Sequence, residues 1–259
     1  MSKLLVENVG KIFPAQANGQ PTRALMPTSL SVGDNDFIAI LGPSGCGKST
    51  LLRIIGGLET ASEGRIMLDG APVSGPGADR GFVFQSYTLF PWLTVAQNIA
   101  FGLREKGVSE RERIDIARQW ADRVGLSNFI DHFPKQLSGG MQQRTAIARA
   151  LANDPKILLL DEPFGALDNQ TRALMQEMLL GIWERERKTV LFVTHDIEEA
   201  IFVGSRVVVM SARPGRIKAD IAVDLPHPRP YTIKTTPEFV ALKERLVEEI
   251  RAEVMASAH

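Results

Sequence analysis

Apolar positions along this chain fall into short continuous runs and a few amphipathic stretches. Phe37-Ile-Ala-Ile-Leu41 and Ile157-Leu-Leu-Leu160 are unbroken apolar runs, as strands buried on both faces require. Strand candidates recur at 37–41, 81–84, 157–161, 190–194 and 206–210. Helical patterns separate several of them, and strands alternating with helices predict a largely parallel sheet. Ahead of these, residues 3–9, 24–32 and 64–69 read as strands separated by Gly, Pro, Asn and Asp. They predict an antiparallel β layer near the start, with the polar stretch 16–21 as a hairpin loop.

Residues 94–153 break this rhythm, offering helical periodicity and no convincing strand. Ile114, Ala117, Ala121 and Val124 fall at i, i+3, i+7 and i+10, one face of a helix, and Gly125 is its stop. This stretch reads as a helical insertion in the α/β core. A further helix is expected over 237–256, where Phe239, Leu242, Leu246, Ile250 and Val254 share a face. The predicted organisation is a single domain over 1–259. Residues 1–93 and 154–225 form an α/β core plus β layer, 94–153 a helical subdomain, and 226–259 a proline-rich segment and helix.

Composition narrows the function classes. Of 259 residues, 44% are apolar and 23% charged, ordinary for a folded globular chain. Formal net charge is zero, which speaks against wholesale nucleic-acid binding. One cysteine, Cys46, rules out an internal disulfide and fits a reducing cytosol. No long apolar stretch comes after the first residues, so no secretory signal is expected. The longest apolar runs fall far short of the roughly 20 residues that span a bilayer, so a membrane role is expected to be peripheral.

Candidate chemistry enters at residues 42–49, Gly-Pro-Ser-Gly-Cys-Gly-Lys-Ser, a full G-x-x-x-x-G-K-[ST] loop between a strand-like and a helix-like run. Gly42, Gly45 and Gly47 permit backbone angles that gather amide N–H groups around a polyphosphate. Pro43, Ser44 and Cys46 fill the loop between them. Lys48 reaches the β- and γ-phosphates and the Ser49 hydroxyl ligates Mg²⁺. Ser49, Thr50 and the next few residues open a helix whose N-terminus points at the anion. A chain of this length meets the pattern by accident on the order of one time in a hundred. The motif predicts binding of a nucleoside triphosphate.

Two further segments extend the site. Ile157-Leu-Leu-Leu-Asp161-Glu162 is an apolar strand ending in two carboxylates, delivered to the ligand edge of a parallel sheet. There Asp161 can hold Mg²⁺, directly or through water, while Glu162 polarises an attacking water. A solvated turn after an ordinary strand is the plainer reading of the pair taken alone. Leu137-Ser138-Gly139-Gly140-Met141-Gln142-Gln143-Arg144 opens another helix, and Ser138 with the Gly139 and Gly140 amides forms a second anion site.

With these three motifs in this order, the chain resembles the nucleotide-binding subunit of an ATP-binding-cassette (ABC) transporter over nearly its whole length. The resemblance implies an α/β fold: a P-loop NTPase core of ABC type with a mostly parallel sheet, an N-terminal antiparallel β layer and a helical insertion. It implies ATP and Mg²⁺ as ligands. The segment at Ser138 is similar to the family signature, which meets the γ-phosphate held by a second subunit. Gln85, after residues 81–84, matches the glutamine that senses Mg²⁺ and the attacking water. Asp168, in Gly165-Ala-Leu-Asp168, matches the loop linking the two sites of a dimer. His195 matches the histidine that contacts the γ-phosphate, whereas His132, His227 and His259 read as structural or exposed. Phe13 sits where the family places an aromatic on adenine, and can equally pack in the β layer. Phe90-Pro91-Trp92 is either core or part of the groove that receives a cytoplasmic helix of a membrane subunit.

Phe90-Pro91-Trp92, Ser211-Ala-Arg-Pro-Gly215 and the proline-rich 224–230 resemble the nitrate/sulfonate/taurine importers. The implied protein is a head-to-tail dimer on two transmembrane permease subunits, served by a periplasmic or extracellular substrate-binding protein. It would sit on the cytoplasmic face of the inner membrane and bind no nucleic acid. A soluble ABC ATPase acting on nucleic acid or ribosomes is the alternative, but such chains usually carry a coiled-coil insertion, tandem cassettes or a basic arm.

Overall fold

The computed structural model describes residues 3–15 and 20–257 and, at 254, 256 and 257, the backbone alone. Most of the hairpin loop expected over 16–21, His259 and the Val254 side chain expected on the last helix therefore lie outside the described residues.

In chain order the first elements are β1 (Leu4–Phe13), β2 (Thr22–Val32), β3 (Phe37–Leu41), α1 (Lys48–Ile55), β4 (Glu63–Leu68) and β5 (Ala71–Pro72). Then come β6 (Arg80–Val83), α2 (Val95–Glu105), α3 (Glu110–Arg123), α4 (Gly139–Ala152), β7 (Ile157–Asp161) and α5 (Asn169–Glu186). The last are β8 (Thr189–Thr194), α6 (Ile197–Val203), β9 (Arg206–Met210), β10 (Ile217–Ala222) and α7 (Pro237–Ser257). The chain divides into two compact units, Met1–Gly77 with Lys188–His259, and Ala78–Arg187.

In the first unit β1 pairs antiparallel with both β2 and β4, the layer expected at the start. Its register slips between Val6 and Val9, around Asn8 at φ 49°. Gly64 on β4 fits that irregularity. It stands at φ 80°, and a Cβ there would come 2.2 Å from the Asn8 carbonyl oxygen. Beside this layer, β3 runs parallel to both β8 and β9. All five residues of β3 and all six of β8 are buried, as their unbroken apolar sequences require.

β10, antiparallel to β9, is absent from the expected strands. Its sequence Ile-Lys-Ala-Asp-Ile-Ala buries only Ile221 and carries Lys, Asp and Ala, residues poor in β propensity. Pairing with β9 overrides that preference. α7 packs against α6, burying Phe239 and Leu246, while Leu242 and Ile250 are half-buried. Lys243 pairs with Glu198 of α6 at 2.6 Å.

In the second unit β6 and β7 are parallel neighbours, and α2 packs on both α3 and α4. Among the described residues 94–153 contain no strand. α2 begins with a capping box: the Thr94 hydroxyl accepts from the Gln97 N–H, and Gln97 Oε1 accepts from the Thr94 N–H. α3 buries Ala117, Trp120 and Ala121, and Gly125 at φ 69° ends it. Ile114, expected on that buried face, is 42% exposed, because it borders an open groove between α2 and α3. Among the described residues no helix is long and apolar enough to cross a membrane.

Phe239 is a fully buried anchor of α7, as is Leu246, so Phe239→Ala should cost about 3–5 kcal/mol of stability in urea unfolding. Val240→Ala, one residue along at an exposed position, should change stability by less than about 0.5 kcal/mol.

Candidate functional site

The phosphate-type loop lies in the first unit between β3 and α1. Gly45 and Gly47 adopt φ 75° and 104°, a region other residues enter at a cost. The Gly47 site is also crowded, since a Cβ there would meet Leu25 Cδ2 at 2.7 Å. Gly45, by contrast, has open space around it. Lys48 is buried, and its ammonium donates to the Gly42 carbonyl at 2.8 Å and the Pro43 carbonyl at 3.0 Å. α1 starts on Gly47 with no side-chain cap, a helix N-terminus of the kind that suits an anion. Exposed Ser44 and Gly45 form the outer rim, with half-buried Ser49 and Thr50 in the first helical turn. The donor set fits a polyphosphate. Cys46 is 1% exposed, so this thiol is packed inward.

Two other expected residues lie in the same unit. His195 is exposed between Thr194, which ends β8, and Asp196, which caps α6. Its backbone is pinned on both sides. The Thr194 hydroxyl bonds the buried Glu199 carboxylate and accepts from the Asp196 N–H, and Asp196 Oδ1 accepts from the Glu199 N–H. Phe13 ends β1 opposite Thr22, half-buried, with the Lys11 ammonium 5.0 Å from its ring centroid. Lys11 also bonds the Glu59 carboxylate, and that hydrogen bond holds the Glu59 carboxyl below its ordinary pKa.

The second unit carries the carboxylates and the signature segment. Asp161 is buried at the end of β7. Glu162 comes next at φ 44°, a left-handed conformation uncommon outside glycine, of the kind stored where a side chain must be aimed. A half-buried Glu162 and a buried Asp161 suit water activation and Mg²⁺ ligation. Asp168 caps α5, accepting from the Gln170 and Thr171 N–H groups at 3.1 and 3.0 Å. The Thr171 N–H and hydroxyl hold its carboxyl below the ordinary range.

Ser138 caps α4 by accepting from the Met141 N–H. Both glycines lie close under neighbouring side chains: a Cβ on Gly139 would come 2.8 Å from the Tyr87 hydroxyl, and one on Gly140 2.8 Å from Thr171 Cγ2. The start of α4 is thereby packed against the segment after Gln85 and the start of α5 after Asp168. Gln85 itself is exposed beyond β6.

The residues that hold this segment carry no motif in the sequence. Arg149, on α4, donates to the Thr88 carbonyl at 2.8 Å and hydroxyl at 3.1 Å, and stacks 5.5 Å from the Phe90 centroid. Burial pushes its pKa down. Asn98 on α2 is fully buried: its Oδ1 accepts from the Phe90 N–H, and its Nδ2 donates to the Phe90, Leu93 and Thr94 carbonyls. The one signal for Asn98 is an amide on the apolar face of α2, eight residues after the aromatic loop. Held in this way, Phe90 is half-buried against Phe101, while Trp92 is 69% exposed. A groove of about 300 Å³ adjoins it, lined by Leu93, Ala96, Ala100, Phe101, Ile114 and Ala117 among others.

Known proteins share this pattern. A family model described as "ABC transporter" matches residues 25–165. An uncharacterized ABC transporter ATP-binding protein of Methanocaldococcus jannaschii is 54% identical over 255 residues, 98% of this chain and 94% of its own length. The nitrate import ATP-binding protein NrtD of Synechocystis is 50% identical over 234 residues, 88% of each chain. A dimeric ATP-binding cassette solved in a post-hydrolysis state with ADP and Pi superposes with a TM-score of 0.75 at 36% identity, over 86% of this chain and all of its own. This chain belongs to the ABC transporter family of ATP-binding subunits.

Proposed function

We propose that this chain is the ATP-hydrolysing subunit of an importer for a small solute of nitrate, sulfonate or taurine type. Relatives named for nitrate, aliphatic sulfonate and taurine import support the class. The observation that carries the reading is Lys48, a buried ammonium poised among the carbonyls of a loop in which Gly45 and Gly47 take left-handed angles. Two copies associate head to tail on two permease subunits at the cytoplasmic face of the membrane, with a substrate-binding protein delivering solute to the permease.

Each catalytic site combines Lys48, Ser49, Gln85, Asp161, Glu162 and His195 of one copy with Ser138, Gly139 and Gly140 of the other, and Asp168 links the two sites. Phe13 flanks the base. Mg²⁺, held by the Ser49 hydroxyl, Gln85 and Asp161, would neutralise charge on the β- and γ-phosphates. Lys48 and the loop amides hold the transferred phosphoryl group. Glu162 orients the attacking water and accepts its proton, and His195 contacts the γ-phosphate. Residues 94–153 work as the helical subdomain carrying the signature. Phe90, Pro91 and Trp92, beside the α2–α3 groove, receive a helix of the permease, so movement of this subdomain is transmitted to the partner.

Glu162→Gln should keep ATP binding while turnover falls by about 10²–10⁴-fold, and a dimer should accumulate with ATP in size-exclusion chromatography. Phosphate release near the wild-type rate would remove Glu162 from its role.

Trp92→Ala should weaken co-purification with the permease by about 2 kcal/mol and leave ATP binding and melting temperature unchanged. Loss of folding or of ATP binding with assembly intact would assign Trp92 to packing instead.

A further inference from the structure

The segment Ser211-Ala-Arg-Pro-Gly215 takes no part in the proposed catalytic cycle. It leaves β9 at Met210 and turns back onto β2, where the Gly215 N–H donates to the Ala24 carbonyl at 3.0 Å. The Gly215 carbonyl accepts from the Met26 N–H at 2.8 Å, and Gly215 forms a parallel bridge with Leu25. On its other side Gly215 lies against the phosphate-type loop. A Cβ at this position would stand 1.8 Å from the Cys46 carbonyl oxygen, a collision with backbone that no rotamer change relieves. Gly215 does not take a positive φ, so contact and not backbone angle demands glycine here.

The same joined wall meets the loop at two more points. A Cβ on Gly42 would come 2.9 Å from the Met210 carbonyl oxygen, and one on Gly47 3.0 Å from the Ala24 carbonyl oxygen. Within the loop the Cys46 N–H donates to the Pro43 carbonyl at 3.4 Å and Lys48 ties the Gly42 and Pro43 carbonyls, while the contacts at Gly42, Gly47 and Gly215 bound its path from outside.

The wall is held in turn by the last turns of α7. The Ala212 N–H donates to Glu253 Oε2 at 3.1 Å, and Glu253 Oε1 pairs with Lys218 of β10 at 3.1 Å. Lys218 also pairs with Glu249 at 3.0 Å. Ser211 closes the turn by accepting from the Arg216 N–H at 3.1 Å.

We propose that residues 211–215 are a positioning wall for the phosphate-binding loop, with Gly215 seating the Cys46 carbonyl and Glu253 of α7 latching the wall in place. Nucleotide affinity is then adjustable from the C-terminal helix. The inference rests on reading residues 42–49 as a nucleotide site.

Calorimetric titration with ADP, on the full chain, tests both levels. Binding by the wild type that Lys48→Ala removes upholds the nucleotide site. No binding by the wild type overturns that reading, and the wall with it. Given binding, Gly215→Ala should weaken it about tenfold, or about 1.4 kcal/mol. Glu253→Gln should weaken it about threefold, within the range of coupling carried through packed networks. Both should raise KM for ATP; in Glu253→Gln kcat at saturation and the melting temperature without nucleotide stay near wild type, whereas Gly215→Ala, which must push backbone apart, also lowers the melting temperature. Wild-type ADP affinity in a folded Gly215→Ala overturns the wall. Should that variant fail to fold, Glu253→Gln decides: unchanged affinity overturns the proposal, and affinity that falls only together with melting temperature assigns the segment to general stability.

Discussion

A buried ammonium must be bonded, and Lys48 meets that demand with the Gly42 and Pro43 carbonyls of its own loop. Much of the first unit depends on this one attachment. β3 must end at Leu41 so that the next carbonyls turn toward Lys48, and α1 must begin at Lys48 itself. The Gly42 and Pro43 carbonyls are thereby both engaged by the one ammonium. Neighbours on β2 and at the end of β9 crowd two of its glycines, Gly47 and Gly42.

What the sequence made legible is what chemistry holds to fixed residue types at fixed spacing. The loop at 42–49, the Asp161-Glu162 pair after an apolar strand, and the helix opened by Ser138 all belong here. Strands β3, β7, β8 and β9 were legible as well, because burial on both faces makes their central residues apolar and confines Thr189, Thr194, Asp161 and Arg206 to the strand ends. β10 was not: an edge strand with one buried side chain has no pattern to read, and its neighbour creates it. The exposure of Ile114 was equally hidden, since helical spacing gives a face but cannot say whether anything covers it. Asn98 and Arg149 escaped for a related reason. Their roles depend on main-chain groups distant in sequence, and single-sequence periodicity carries no trace of those.

These two residues explain a contrast within the second unit. The aromatic loop presents Trp92 to solvent although rings of that size are normally covered. Asn98 spends its amide on four main-chain bonds to residues 90 and 93–94, so the loop keeps its shape without burying that ring. Arg149 adds a charged tie from α4 to the residues just before it. A buried polar group bonded as Asn98 is specifies one conformation more sharply than apolar contact does.

The uncapped start of α1 has a consequence for the free subunit. A helix that begins on glycine, with no side chain over its first N–H groups, leaves part of its terminal bonding to whatever anion the loop receives. Any ligand that binds only the folded form stabilises it by mass action, about 2.7 kcal/mol at a hundredfold excess over the dissociation constant. Under the proposed function that ligand is the cell's adenine nucleotide. The subunit's resistance to unfolding, and so its lifetime against proteolysis, would then rise and fall with the adenine nucleotide available to the cell.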